Sequence, residues 1–219
     1  MQKVFFKTFG CRTNQFDTQV MMSKLKSFQL TDDENESDII VVNSCTVTNG
    51  ADSSVRNYIN AIQRKNPSAK VVLAGCGAHS KGESLFEDKK VFGVMGHSEK
   101  EKINAILQEQ NPFYQIGDLA HIDSTIVEEF IGKSRAFIKI QEGCDFRCSY
   151  CIIPSVRGDA RSHTEATILT QVNKLAANGF GEFILTGTNV GSYGRDHGTS
   201  MANLLKKMSL IRGVRRIRI

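Results

Sequence analysis

The 219-residue chain contains no tryptophan, three prolines and no apolar run approaching the roughly 18 residues of a membrane-spanning helix. Its start also lacks the basic-then-apolar pattern of a secretory signal. These absences exclude a helical membrane protein and give no support to export. Disorder is excluded by what remains, since 40% apolar and 23% charged residues suffice for a packed core. The chain reads as a soluble cytoplasmic protein of one large domain or two small ones.

Acidic residues are scarce in one part only. Residues 1–132 hold 14 basic and 17 acidic side chains, net −3, whereas residues 133–219 hold 14 and 6, net +8. The last 14 residues, Lys206 to Ile219, carry six positive charges and no negative one. Such asymmetry points to an anionic partner, nucleic acid first, against the plainer reading of a solvated basic face.

Six cysteines form an even set, so a disulfide framework has to be weighed. Without a secretory signal the expected compartment is reducing, where cysteines serve as metal ligands or catalytic groups. Val4-Phe5-Phe6 leads to Cys11, Ile39 to Val42 leads to Cys45, and Val71 to Gly75 ends at Cys76. Each short β-branched or aromatic run predicts a buried strand. Helical spacing falls at about 14–29 and 52–65, with further helices near 80–88 and 99–110 and a fourth strand at Val91 to Met95. Strand alternating with helix predicts a parallel sheet, whose ligands gather beyond the carboxyl ends of the strands. One cysteine there is most simply a small buried hydrophobe. Three at equivalent strand ends, 34 and 31 residues apart, lie one βα unit from each other and can converge on one inorganic centre, which would leave a fourth ligand position open.

The second trio is compact: Cys144-Asp145-Phe146-Arg147-Cys148-Ser149-Tyr150-Cys151. No second C-x2-C knuckle or Cys/His pair follows at the distance that structural zinc favours. C-x3-C-x2-C suits three corners of a [4Fe–4S] cube and leaves one iron without a protein ligand. The five histidines, at 79, 97, 121, 163 and 197, show no metal-ligand spacing to one another and receive no role.

This motif, with Tyr150 as its aromatic and the strand Ala136 to Ile140 before it, resembles the signature of the radical S-adenosylmethionine (SAM) superfamily. The flanking segments Gln141-Glu142-Gly143 and Ile152-Ile153-Pro154-Ser155-Val156-Arg157-Gly158 resemble the methylthiotransferase family within it. So do Phe9-Gly10-Cys11-Arg12-Thr13-Asn14, Val42 to Thr48, and Ala74-Gly75-Cys76. The resemblance implies two [4Fe–4S] clusters, one on Cys144, Cys148 and Cys151 and an auxiliary one on Cys11, Cys45 and Cys76. It implies SAM bound at the first cluster and cleaved by one electron, giving a radical that takes hydrogen from the substrate. Sulfur presented by the second cluster, methylated by another SAM, would then be delivered as a methylthio group. The cofactors carry this chemistry, and the protein supplies orientation and a dry cavity.

Other implied roles are Tyr150 against the SAM adenine and Asn189, in the turn Thr188 to Gly191, near the SAM amino group. Arg157 is expected at a SAM carboxylate or an anionic substrate group, with a surface salt bridge as its alternative. Arg161-Ser162-His163 departs from the family's more usual Arg-Ser-Arg. The implied partners are tRNA, at an anticodon-loop adenosine, and an electron donor such as flavodoxin or ferredoxin, with no membrane. Cys45-Thr46-Val47-Thr48-Asn49 and Leu185 to Gly194 resemble the group acting on threonylcarbamoyladenosine. Isopentenyladenosine in tRNA and an aspartate of a small-subunit ribosomal protein stay open as substrates. A non-catalytic iron–sulfur or zinc module that recognises RNA is the alternative of another class.

The expected fold is α/β. Residues 1–118 should form a flavodoxin-like parallel-sheet domain with helices on both faces, residues 119–132 a linker, and residues 133–219 the first part of a radical SAM partial (βα)6 barrel. The latter reads as strand, cysteine loop, helix (about 164–178), strand 182–187, helix (about 200–209) and a third strand in which the chain ends. It is expected to be the N-terminal part of a longer protein that adds the rest of the barrel and a small RNA-binding β-barrel.

Overall fold

The computed structural model describes residues 1–128, 130 and 134–219. They form two compact units, Met1–His121 and Ile122–Ile219.

The first unit runs β1 (Lys3–Thr8), α1 (Arg12–Lys24), β2 (Gln29–Leu30), β3 (Ile39–Ser44), α2 (Asn49–Lys65), β4 (Lys70–Gly75), α3 (Cys76–Glu87), β5 (Gly93–Met95), a 3-10 turn (His97–Lys102), α4 (Ile103–Ile106) and β6 (Phe113–Gln115). Its strands are all parallel, in the order β2-β1-β3-β4-β5-β6. β3 is buried along its whole length because helices cover both faces. Ile39 and Val41 pack with Met21 of α1 and Ile103 of α4, whereas Ile40 and Val42 pack with Val55, Ile59 and Ile62 of α2. Local sequence makes α2 a helix before packing does. The Thr48 hydroxyl accepts the Ala51 N–H at 3.1 Å, Asp52 lies in the first turn, and Arg64 and Lys65 complement the dipole in the last. The strand order reverses between β1 and β3, the place where doubly wound sheets open a binding crevice.

Three local expectations change. The first helix stops at Lys24, because the Asn104 side-chain carbonyl accepts the N–H groups of Lys26 and Ser27 at 2.8 and 2.9 Å. Phe28 then enters the core from a loop, and Gln29–Leu30 pair with β1. The helix expected near 99–110 is a 3-10 turn followed by the short α4. β6 was not expected, since three residues are too few to show alternation.

The second unit runs β7 (Ala136–Glu142), α5 (Ile153–Arg157), β8 (Arg161–Ser162), α6 (Glu165–Ala177), β9 (Glu182–Gly187), 3-10 turns at Val190–Ser192 and Arg195–His197, α7 (Met201–Ser209) and β10 (Arg216–Arg218). Its sheet order is β10-β9-β7-β8, with β8 alone antiparallel. Thr164 and Ser200 cap α6 and α7 through their hydroxyls. Ile168, Val172 and Leu175 of α6 are buried at helical spacing, as are Leu204 and Met208 of α7.

Much of the segment expected as a linker is packed instead. Val127 donates its N–H to Gln171 Oε1 at 2.7 Å and accepts from Gln171 Nε2, Asp123 pairs with Lys139 at 2.8 Å, and Phe130 is buried. Apolar Val127 and Phe130 gain by leaving water, and the polar groups that follow them inside find partners. The expected boundary at 132/133 lies outside the described residues. No described helix is long and apolar enough to cross a membrane.

Candidate functional site

β1, β3 and β4 are neighbours in the sheet, and Cys11, Cys45 and Cys76 follow them at one edge. Cys11 caps α1 and Cys76 opens α3, so both stand at helix N-termini, where peptide dipoles favour negative charge. None of the three is in a disulfide; Cys45 and Cys76 are buried and Cys11 is exposed.

Buried polar side chains stitch these strand ends together. Asn14 Nδ2 donates to the carbonyls of Phe9 (3.0 Å) and Ser44 (2.7 Å), and Asn43 Nδ2 donates to the Asn14 carbonyl (2.8 Å) and the Thr18 hydroxyl (2.9 Å). Ser44 Oγ accepts the Gly77 N–H at 3.0 Å and donates to the Ala74 carbonyl at 2.5 Å. Two glycines permit the close approach. Gly10 has φ +90°, and a Cβ there would stand 2.7 Å from Cys45 Sγ; Gly75 has φ +82°, and a Cβ there would press on the Asn43 side chain.

In the second unit the register of β7 against β9 shifts between Lys139 and Gln141, a bulge at the mouth of the cysteine loop. The fully buried Gln141 uses both ends of its amide. Oε1 accepts the Asn189 N–H at 2.7 Å, and Nε2 donates to the carbonyls of Glu142 (2.9 Å) and Gly143 (2.7 Å). The turn after β9 is thereby tied to the start of the loop. Within the loop, the Cys144 N–H donates to the Gly158 carbonyl at 3.0 Å, the Cys151 N–H to the Cys148 carbonyl at 3.0 Å, and Arg147 Nη1 to the Cys144 carbonyl at 2.9 Å. Cys144, Cys148 and Cys151 are free thiols, Cys148 exposed and the other two half-buried.

The remaining expected residues fare differently. Tyr150 is 90% exposed on the loop surface. Asn189 is drawn to the base of the loop by Gln141. Arg157 forms no surface salt bridge: it is 2% exposed and its guanidinium pairs with buried Glu142. Burial requires such a partner, because an unpaired charge there would be costly. Asn14, Asn43, Ser44, Lys139 and Glu142 received no role from the sequence. For the four on strands the signal was polarity at the end of, or within, an otherwise apolar run; Asn14, in α1, gave none. The rings of His79 and His97 lie 5.0 Å apart, a contact their sequence spacing did not reveal.

Near the turn after β9, burial works against the Asp196 charge, but hydrogen bonds from Ser162, with its N–H at 2.7 Å, and the nearby His197 leave the carboxyl below its ordinary range. Burial, with Glu165 and Asp196 adding to it, pushes the Tyr193 hydroxyl up to about 12.

Among the described residues no group of three or more His, Cys, Asp or Glu side chains is gathered to hold a single metal ion. The cysteines of a cubane cluster each bind a different iron, so they stand further apart than the ligands of one ion. Two trios of soft thiols suit iron–sulfur chemistry.

A parallel sheet with a cysteine at each of three adjacent strand ends, and a second unit whose strand β7 runs into C-x3-C-x2-C, match the layout of the radical SAM class. Residues 138–219 match the radical SAM superfamily, and residues 3–110 match an uncharacterized protein family, UPF0004. The chain belongs to the methylthiotransferase family of radical SAM proteins. A Helicobacter pylori protein that carries a methylthiotransferase name is 58% identical over all of this chain and 52% of its own length. A threonylcarbamoyladenosine tRNA methylthiotransferase of Aquifex aeolicus is 37% identical, over 99% of this chain and 55% of its own. A tRNA-2-methylthio-N(6)-dimethylallyladenosine synthase of Fervidobacterium nodosum is 35% identical, over 98% and 51%. The chain thus spans about half the length of the relatives it matches. Among solved structures, the radical SAM methyltransferase TsrM of Kitasatospora setae, with cobalamin and a [4Fe–4S] cluster bound, shares the fold at a TM-score of 0.64 and 16% identity, covering 94% of this chain and 52% of that one.

Proposed function

We propose that the whole protein transfers a methylthio group to C2 of threonylcarbamoyladenosine beside the tRNA anticodon, using SAM and two [4Fe–4S] clusters. The observation that carries this reading is the pair of cysteine trios, one at the carboxyl ends of three adjacent parallel strands and the other in the single loop that follows β7. Cys144, Cys148 and Cys151 would hold one cluster, and Cys11, Cys45 and Cys76 the other. When bound, these groups supply the electron that cleaves SAM and the sulfur that is transferred. The chain's own residues orient and shield them. Gln141 fixes the turn that places Asn189 at the loop base, and Tyr150 offers an exposed ring for the adenine. The basic residues 133–219 suit tRNA phosphates. The electron would come from a flavodoxin or ferredoxin in the cytoplasm.

Anaerobic reconstitution is expected to give about eight irons per chain, and about four would remove one cluster. Gly10→Ala should leave about four irons, because its Cβ displaces Cys45 while the second unit is untouched. The substrate is tested by mass spectrometry of tRNA nucleosides from a strain lacking the gene. Loss of 2-methylthio-threonylcarbamoyladenosine is expected. An unchanged level, with loss of the isopentenyladenosine product or of methylthiolation on a ribosomal-protein aspartate, would replace the substrate and keep the chemistry.

A further inference from the structure

At the foot of the second unit, the end of its sheet opposite the cysteine loop, four arginines surround one carboxylate. Strand register puts them there. Arg216 of β10 pairs with Glu182 of β9, and Ala136 of β7 pairs with Phe183, so Arg135, Glu182 and Arg216 lie side by side where three adjacent parallel strands begin. Arg218, two residues further along β10, shares the face of Arg216. Glu182 Oε1 is 2.8 Å from Arg218 Nε and 4.0 Å from Arg135 Nη1, and Oε2 is 3.3 Å from Arg216 Nη1. Arg215 is the fourth cation. Its N–H donates to the Gly181 carbonyl at 2.9 Å, and its guanidinium lies over Gly181, where a Cβ would collide with it. The four arginines and Glu182 line an open cleft of 590 Å³.

Glu182 neutralises one guanidinium and leaves three. The arginines paired with it keep about half of their side-chain surface in water, and exposed pairs of this kind contribute only about 0–1 kcal/mol each. Like charges gathered this closely repel, so stability gives no reason to collect four cations on one acid. A bound anion relieves the repulsion, and a guanidinium matches a phosphate with two parallel hydrogen bonds. Strands about 4.8 Å apart spread these groups across roughly 10 Å, a span that suits consecutive phosphates of a nucleic-acid strand better than one small anion. The seven residues of β7 hold the cleft about 23 Å from the start of the cysteine loop, so it lies away from the nucleotide that reacts.

We propose that this cleft grips the sugar-phosphate backbone of the substrate RNA at a distance from the reacting nucleotide. Arg135, Arg215, Arg216 and Arg218 take the phosphates, and Glu182 is the counterion that holds three of them when no RNA is bound. The inference rests on the tRNA reading above and adds a place where the RNA is held.

The test uses the full 219-residue chain and a fluorescent anticodon-arm RNA, with binding followed by anisotropy across a salt series. Arg135→Gln and Arg215→Gln should each weaken binding roughly five- to tenfold in about 50 mM salt and lower the slope of log affinity against log salt by about 1. The corresponding lysine variants should stay near the parent, since a point charge still meets a phosphate. Glu182→Gln removes the competing negative charge and should bind RNA more tightly, a gain that a purely structural ion-pair network does not give. Lys206→Gln, on α7 outside the cleft, is the charge-matched control and should bind as the parent does. Unchanged affinity and slope in the Arg135→Gln, Arg215→Gln double variant, or an equal fall in Lys206→Gln, overturns the proposal, as does a parent chain that binds no RNA. Polyglutamate that displaces the RNA at equal charge assigns the cleft to an acidic protein and overturns it as well. The nucleoside measurement above judges the tRNA reading separately. Loss of tRNA methylthiolation together with arginine variants that bind like the parent removes the cleft and keeps the reading, whereas unchanged tRNA nucleosides remove the reading and the proposal with it.

Discussion

Cys148→Ala is expected to leave the reconstituted chain with about four irons in place of about eight and to reduce dithionite-driven 5′-deoxyadenosine formation to background. Two thiolates cannot hold three corners of a cube. Cys148 is exposed, so its loss should cost the iron-free fold less than about 0.5 kcal/mol, and the effect falls on metal alone. Cys76→Ala is the contrasting variant. It too should leave about four irons, and if the whole protein has the proposed activity, SAM cleavage should persist in it while methylthio transfer is lost, because Cys76 stands in the other trio. Iron, sulfide and 5′-deoxyadenosine measured on both variants decide the matter. If both abolish SAM cleavage alike, two independent clusters are not present. Iron stoichiometry carries the comparison even in a chain that spans half the length of its relatives.

The contrast between these variants was available from the sequence, because it depends on strand ends and spacing. Ile39 to Val42 had to be a strand covered on both faces, and the cysteines after three such runs had to share an edge. Thr48 and Asp52 announced α2 in the same way. What stayed hidden depends on tertiary partners. Nothing local shows that Asn104 would take the N–H groups of Lys26 and Ser27 and stop α1, or that Gln171 would satisfy Val127 and turn an expected linker into packed chain. Within the site, Asn14, Asn43 and Ser44 were visible as residues but not as one hydrogen-bonded seam, since their partners lie some 30 positions away. Arg157 was noticed for its charge, and its burial against Glu142 changes what that charge can reach. Lys139 and Glu142 were the legible part of this. Two charged residues in a strand that is otherwise Ala, Phe, Ile, Ile and Gln must be paired if the strand is central, and β7 lies between β9 and β8.

Glu142→Ala is therefore expected to destabilise the second unit of the iron-free chain by about 3–5 kcal/mol, the usual cost of leaving buried charge without its partner. The same substitution at Glu128 should cost less than about 1 kcal/mol, although Glu128 Oε1 stands 2.7 Å from Lys174 Nζ, because that pair is half-exposed and water replaces what is lost. Ion-pair length does not separate the two cases; burial does. Urea unfolding followed by circular dichroism measures both, and equal losses at the two positions would show that burial does not decide the cost. A domain of this size has only about 5–15 kcal/mol to lose, so Glu142→Ala should bring the second unit close to unfolding. Replacing such a network with apolar side chains of similar volume is often neutral or stabilising. Net stability therefore gives no reason to keep these charges, and what Glu142→Ala measures is the cost of leaving Lys139, Arg157 and Arg161 without this carboxylate, not the net worth of the network.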